Sequence, residues 1–185
     1  AHDAYQAPNA ATPDGKRLVF ERSDAQGKSA LWIRNLDGDD EATLLASSSG
    51  SEVGADISPD GRWLAYVSDA TRSWEVYVRR FDGSGGASRI SSEGGSQPLW
   101  RRDGRELFYV DSAGRLIAVP ISGADSPQPG PPMALFEPYL EESNDRQYDV
   151  SADGQRFVLN RSLTSNSVPI TVVLDWSALL DRQGQ

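Results

Sequence analysis

Cysteine is absent from the 185-residue chain, and histidine occurs once, at His2. The first absence excludes disulfides, thiolate nucleophiles and cysteine-based zinc sites. The second leaves one terminal imidazole, so neither a Ser-His-Asp nor a Cys-His set can be assembled. A Gly-x-Ser-x-Gly nucleophile elbow is missing as well. No apolar run approaches the roughly 20 residues of a membrane helix, so no membrane insertion by this segment is expected. The opening stretch "AHDAYQAPNAATPDG" has neither the basic nor the apolar region of a secretory signal. Basic residues are in the minority, 18 Lys and Arg against 27 Asp and Glu, for a net charge of -9. That balance works against a nucleic-acid surface and against an anionic membrane. What remains is an ordinary globular composition, 38% hydrophobic and 24% charged, at a length suited to one domain.

What is present is a repeat. "TPDGKRLVFERSD", "SPDGRWLAYVSD", "RRDGRELFYVDS" and "SADGQRFVLNRS" place Asp-Gly pairs at Asp14-Gly15, Asp60-Gly61, Asp103-Gly104 and Asp153-Gly154. Spacings of this size, roughly 40 to 50 residues, mark stacked supersecondary units, commonly propeller blades. Leu18, Leu64, Leu107 and Phe157 form one column and Phe20, Tyr66, Tyr109 and Leu159 a second, two residues on. Period-two spacing puts both columns on one face of a strand. The column between them, Val19, Ala65, Phe108 and Val158, is apolar too. A strand apolar on both faces is covered on both faces, which blades packed face to face explain.

A second strand follows each of these ("ALWIRNLDG", "EVYVRRFDG", "RLIAVPISG", "PITVVLDW"), with Asp37-Gly38 and Asp82-Gly83 as further hairpin turns. "ATLLASS" and "ASRISSE" read as polar outer strands, and "GADI" and "QPLW" as short innermost ones. "AYQAPNA" is expected to be the inner strand of the first unit, with completion of the last blade as the alternative. The Pro-rich stretch after Ile121 is expected to be an extended loop or an edge excursion, because proline cannot donate to a ladder. Only the C-terminal "WSALLDRQ" carries a helical period. The fold class is therefore all-β, about four four-stranded antiparallel blades near 1–53, 54–96, 97–146 and 147–185, within a single partial propeller.

"SPDGRWLAYVSD" followed by "WEVYVRRFDGSG" resembles the TolB-like, or WD40-like PD40, β-propeller repeat, and the likeness covers nearly the whole chain. The final unit looks like the end of propellers fused to bacterial serine/threonine kinases or transcriptional regulators. The resemblance implies closure with six or more blades. Four units then form part of a larger propeller, or a half that oligomerises to complete one; a compact four-bladed ring is the alternative. It implies a binding scaffold for a protein or peptide, not an enzyme, with no cofactor. The periplasm or another extracytoplasmic setting is favoured, with the cytoplasm left open. Two other roles stay in view: the substrate-gating propeller of a prolyl-oligopeptidase-like hydrolase, and a sensor module of a kinase or regulator.

Candidate sites divide into turns and loops. The Ser-Pro-Asp-Gly motif invites a nucleophile or metal-ligand reading. Its Ser column, however, runs Thr12, Ser58, Arg101, Ser151, and only Asp-Gly persists. A turn in which Asp caps N–H groups and Gly takes positive φ explains that pattern. "LDGDDE" concentrates acids, but a Ca²⁺ loop needs six to eight oxygens at a spacing not met here, so no metal is expected. Asp56 and Asp149 share an inner-strand column, with Leu99 in the third unit. They face the channel or bond a neighbouring blade's backbone. Glu93 and Gln97 in "SSEGGSQ" and Trp74 after "SDATRS" lie in loops of one rim, where binding residues belong. Trp74 is either a binding aromatic or a blade cap, whereas Trp32, Trp63 and Trp100 fit packing positions in strands.

Overall fold

The computed structural model describes residues 5–38, 40–140 and 145–160, together with the backbone of 170–173. Four antiparallel sheets follow one another along the chain. The first contains β1 (Gln6–Ala11), β2 (Arg17–Ser23), β3 (Ser29–Asn35) and β4 (Thr43–Ala46), in that spatial order. The second repeats it with β5 (Glu52–Ile57), β6 (Trp63–Ser68), β7 (Glu75–Arg80) and β8 (Ser88–Arg89). The third has β9 (Ser96–Trp100), β10 (Glu106–Val110) and β11 (Leu116–Ser122). Both β12 (Gln128–Pro129) and β13 (Met133–Phe136) pair with β11. The fourth shows β14 (Tyr148–Val150), β15 (Phe157–Asn160) and β16 (Ile170–Val173). No described segment is helical. His2, "WSALLDRQ" and the "RSLTSNSV" connection lie outside the described residues.

The Asp-Gly turns make each sheet's first hairpin. Ser58 Oγ donates to Asp60 Oδ1 at 2.6 Å and accepts the Trp63 N–H at 2.9 Å. Asp60 Oδ1 takes the Arg62 N–H at 3.0 Å, and the Gly61 N–H reaches the Ser58 carbonyl at 2.8 Å. Gly61 sits at φ +72°, a conformation that favours glycine. Thr12-Asp14-Gly15 and Ser151-Asp153-Gly154 repeat the network atom for atom. The Thr12 hydroxyl and the Lys16 N–H hold Asp14 below its usual carboxylate range, and the Ser151 hydroxyl and Gln155 N–H do the same for Asp153. In the third unit Arg101 replaces the hydroxyl. Asp103 still caps the Arg105 N–H at 3.0 Å, while the guanidinium of Arg101 pairs with Glu106 at 2.8 Å and donates to the Asp153 carbonyl at 2.9 Å. The substitution turns a local cap into a tie between the third and fourth sheets.

The apolar columns lie between sheets. Leu64 and Tyr66 pack with Val19 and Leu31 of the first sheet. On the opposite face, Ala65 and Val78 pack with Leu107 and Tyr109 of the third. Phe108 carries the pattern on to Phe157 and Leu159 of the fourth, meeting the Phe157 ring edge-on at 5.2 Å. Each such side chain, fully buried, contributes about 1.5–3 kcal/mol. Trp63 and Trp100 are buried, as strand packing requires, while Trp32 is half-buried on the outer face of the first sheet. Among the described residues the hydrophobic clusters join each sheet to the next along the chain, first to second, second to third and third to fourth, as an arc of stacked blades.

The Pro-rich stretch is more ordered than a loop. Pro131 and Pro132 separate β12 from β13, and the proline-free "MALF" of β13 then pairs along β11 as the sheet's outer edge. Edge position reconciles the prolines with strand structure, since an outer strand leaves one row of donors unneeded.

Candidate functional site

Opposite the Asp-Gly turns, the chain builds its least repetitive surface. The connections 69–74, 91–96 and 111–114 enclose a groove of about 850 Å³ between the second and third sheets, lined by Trp74, Glu75, Glu93, Gln97, Asp111 and Leu140 among others. Three of the sequence candidates, Trp74, Glu93 and Gln97, therefore meet in one depression. Trp74 is 38% exposed at its edge. Among the described residues no hydrogen bond or ion pair engages Glu93. Asp111 is the opposite case. It caps the Ala113 and Arg115 N–H groups and pairs with the Arg115 guanidinium at 2.7 Å, so its charge is spent locally.

The groove floor is held by a buried carboxylate that sequence inspection missed. Glu75, 2% exposed, accepts the Ser91 hydroxyl and, at 3.2 Å, the Gly94 N–H. Ser91 Oγ in turn accepts the Val76 N–H at 2.8 Å. One carboxylate thus fixes the loop that presents Glu93. Glu75 heads the strand "EVYVRR", where its position beside a turn was the one signal the sequence held.

Toward the propeller axis lies a second cavity of about 240 Å³, lined by Asn9, Glu21, Gly54, Gln97, Asp145 and Arg146 among others. Here the inner strands carry bulges, with register shifts between Pro8 and Ala10, Val53 and Asp56, and Phe108 and Val110 opposite β9. A bulge re-aims side chains, and these point along the arc. Asn9 Oδ1 accepts the Ala55 N–H at 3.1 Å. Asp56 Oδ2 accepts the Trp100 N–H at 2.8 Å. Gln97 Oε1 accepts the Gln147 N–H at 2.8 Å. Each of the first three inner strands offers one acceptor to the next blade, worth about 1 kcal/mol when neutral and more when charged.

Asp56 thus does both things open to it. It bonds the neighbouring backbone, and its Oδ1 meets Arg146 across the channel mouth at 3.1 Å. Burial raises its pKa, against the pull of Arg146. Asp149 is exposed and, among the described residues, accepts the adjacent Val150 N–H at 2.8 Å. The two share a column yet do not converge, because no further sheet follows Asp149 among the described residues. Gln97 is 2% exposed and adopts φ 54°, a strained conformation for a residue with a Cβ. The Tyr148 hydroxyl donates to its carbonyl at 2.8 Å. Gln97 lines both cavities and links groove to channel. Glu21, buried on β2, takes an N–H from Gly54, and desolvation raises its pKa. Glu21 and Arg146 escaped the sequence reading because the contacts that define them join distant parts of the chain.

The groups the groove offers are an exposed indole, an unengaged carboxylate, serine hydroxyls and loop backbone. No group of three or more His, Cys, Asp or Glu suited to a metal occurs among the described residues.

No protein-family model matches the chain. Among solved structures it is similar to TolB from Acinetobacter baumannii, with a TM-score of 0.71 and 22% identity over 94% of this chain and 41% of that one. It is also similar to a puromycin-hydrolyzing peptidase of Mycobacterium tuberculosis, with a TM-score of 0.64 and 21% identity over 92% of this chain and 30% of that one. The β-propeller domain of the Trilobed protease from Pyrococcus furiosus, described as having an open velcro topology, matches with a TM-score of 0.53 and 16% identity over 89% of this chain and 51% of that one. The chain thus spans about half or less of each. At these identities the likeness concerns architecture, and with the repeat and the stacked sheets it shows a β-propeller fold of four successive blades, similar to that of TolB.

Proposed function

We propose that this chain is a non-catalytic propeller scaffold that binds a protein or peptide partner through its loop rim and channel mouth, in an extracytoplasmic setting. The observation that carries the reading is the pairing, in one groove, of the exposed Trp74 with the unengaged Glu93, above a floor fixed by Glu75. Tryptophan is enriched among residues that dominate binding energy, and Trp74 stands at the edge of a depression where a partner would bury it. Glu93 favours a partner that brings an N–H or cationic group. The mechanism is recognition by many small contacts on a rigid frame.

Panning a displayed peptide library on the chain tests this. Enriched peptides should lose at least about tenfold in affinity on Trp74→Ala or on Glu93→Arg. Peptides that bind both variants as well as the parent chain would move the site elsewhere. Turnover of peptide or glycoside substrates by the chain alone would overturn the non-catalytic reading.

A second reading has its own support. The likeness to a peptidase and to a protease propeller favours a gating role within a hydrolase whose catalytic domain lies outside these residues. It predicts that deleting the arc from the parent protein broadens substrate size without abolishing chemistry.

A further inference from the structure

Six Asp-Gly pairs occur in the chain, and as dipeptides they are chemically alike. In such a pair the glycine amide nitrogen can attack the aspartate Cγ, because glycine has no side chain to hold the two apart. Whether it does so depends on how firmly the nitrogen and the carboxyl group are held. In five of the pairs both are tied down. The N–H groups of Gly15, Gly61, Gly83, Gly104 and Gly154 each donate to the carbonyl three residues back, at 2.8–3.2 Å. The carboxylates of Asp14, Asp60, Asp82, Asp103 and Asp153 each accept the N–H two residues on, at 2.9–3.1 Å. The Thr12 and Ser151 hydroxyls and the Arg80 guanidinium also hold Asp14, Asp153 and Asp82 below the usual carboxylate range. A carboxylate kept ionised is a poor electrophile, since it has no hydroxyl to lose as water.

Asp37-Gly38, between β3 and β4, is built differently. Gly38 sits at φ 141°, far from the 70–82° of the other five glycines. Its N–H does not donate to the carbonyl of Asn35, three residues back. Among the described residues nothing else accepts that N–H, and nothing donates to the Asp37 carboxylate. Asn35 holds the place from which Thr12, Ser58 and Ser151 cap their aspartates, but its amide donates to Asp40 at 2.7 Å instead. Asp37 and Gly38 are both exposed, and a Cβ built on Gly38 would meet nothing within 4 Å, so water and a closed ring both have room.

We propose that Asp37-Gly38 is a site of spontaneous isoaspartate formation in the folded protein, and that the fold suppresses the same reaction at the other five pairs. The Gly38 nitrogen bonds to Cγ of Asp37 in its protonated form and gives up its proton, while the Cγ–OH bond breaks and the hydroxyl leaves as water. The product is a succinimide. Water then opens the ring. Attack at the side-chain carbonyl restores aspartate, and attack at the main-chain carbonyl leaves isoaspartate. The net change is an isomerisation, with mass unchanged and no oxidant or reductant involved. It adds a methylene to the main chain between Asn35, where β3 ends, and Thr43, where β4 begins, and so spares the pairing of Ile33 with Thr43. Neither the groove nor its partner enters this chemistry, so the isomerisation and the binding role stand or fall separately.

Site-resolved mass spectrometry on the purified chain tests it. After weeks of incubation in mildly acidic and in neutral buffer, electron-based fragmentation, which distinguishes the two linkages, reads the isoaspartate fraction at each Asp-Gly pair. In the folded chain Asp37 should isomerise at least about tenfold faster than any of the other five, each of which must first break two hydrogen bonds. In guanidinium chloride, where no turn survives, all six should react at similar rates. Equal rates in the folded chain overturn the proposal, and so does a lead for any capped pair. A lead for Asp37 that persists undiminished in guanidinium chloride also overturns it, because the neighbouring sequence and not the turn would then be the cause.

Discussion

The two rims of this arc are made from similar residues and obey different rules. On the turn rim the same network of hydroxyl, carboxylate, glycine and two N–H groups recurs at Asp14, Asp60 and Asp153, and its polar atoms bond one another. On the loop rim the Asp24 and Asp111 turns share one cap, but the connections beside them differ from blade to blade, and polar atoms such as those of Glu93 face a groove. Repetition is what a scaffold needs, since every blade must turn at the same radius. Difference is what recognition needs, since a partner is met once. An acidic residue therefore means different things on the two rims: at Asp60 it completes a turn, and at Glu93 it is left facing a groove.

The sharpest way to break that contrast is at Gly61. A Cβ there would meet nothing closer than 3.7 Å, so space is not the obstacle; φ +72° is. Gly61→Val should cost about 3 kcal/mol, the upper end for a branched residue in this region, and lower the melting temperature by about 6–12 °C. Peptide binding at the groove, measured well below the new melting temperature, should stay. An unchanged melting temperature with binding lost would put function on the turn rim and collapse the distinction.

Ser58→Ala asks how much of the turn's stability lies in its hydroxyl. Ser58 is 1% exposed, and its loss strands the buried Trp63 N–H. The expected destabilisation is about 1–3 kcal/mol in a denaturant titration. No effect would mean that glycine and aspartate suffice, as the third unit hints. The loop-rim counterpart is the binding variant Trp74→Ala. There the tenfold loss of peptide affinity should come with less than about 0.5 kcal/mol of stability, because an exposed loop residue contributes little to folding. One rim moves stability without binding, the other binding without stability.

The contrast also explains what could be read from the sequence. The blade architecture was legible because it is periodic: Leu64, Ala65 and Tyr66 announce two buried faces without any long-range information. The turn chemistry was legible for the same reason, since four aligned copies separate the required Asp-Gly from the replaceable Ser58. Burial at the ends was not. Val19 and Val158 are the same residue in the same column, yet one is 0% and the other 43% exposed, because the difference lies in a neighbouring sheet. Asp56 shows the limit within one residue. Its column suggested two fates and the structure assigns both, since Arg146 reaches it from 90 positions away. Gln97 was picked from its loop, but the bulge that turns it into a clamp is a matter of register, which spacing alone does not reveal.

The smallest expected effect is in acid, and it separates the surface turn from the channel side by sign. Asp14 is held below its usual pKa by the Thr12 hydroxyl, so its contribution is present above the unfolded value near 4 and fades as pH falls through the lower folded value. Asp14→Asn should therefore lose stability at neutral pH and converge on the parent chain below that window. Glu21 is the reverse. Burial raises its folded pKa above the ordinary glutamate value, so protonation relieves a desolvated charge, and the parent gains stability as pH falls from the folded value to the unfolded one. Glu21→Gln keeps a carbonyl for the Gly54 N–H but has no charge to relieve, so its stability should lack that rise. Denaturant midpoints for the two variants and the parent across mildly acidic pH would decide it. Profiles that bend the same way would show that the buried Glu21 and the exposed Asp14 share one electrostatic environment, which their opposite surroundings argue against.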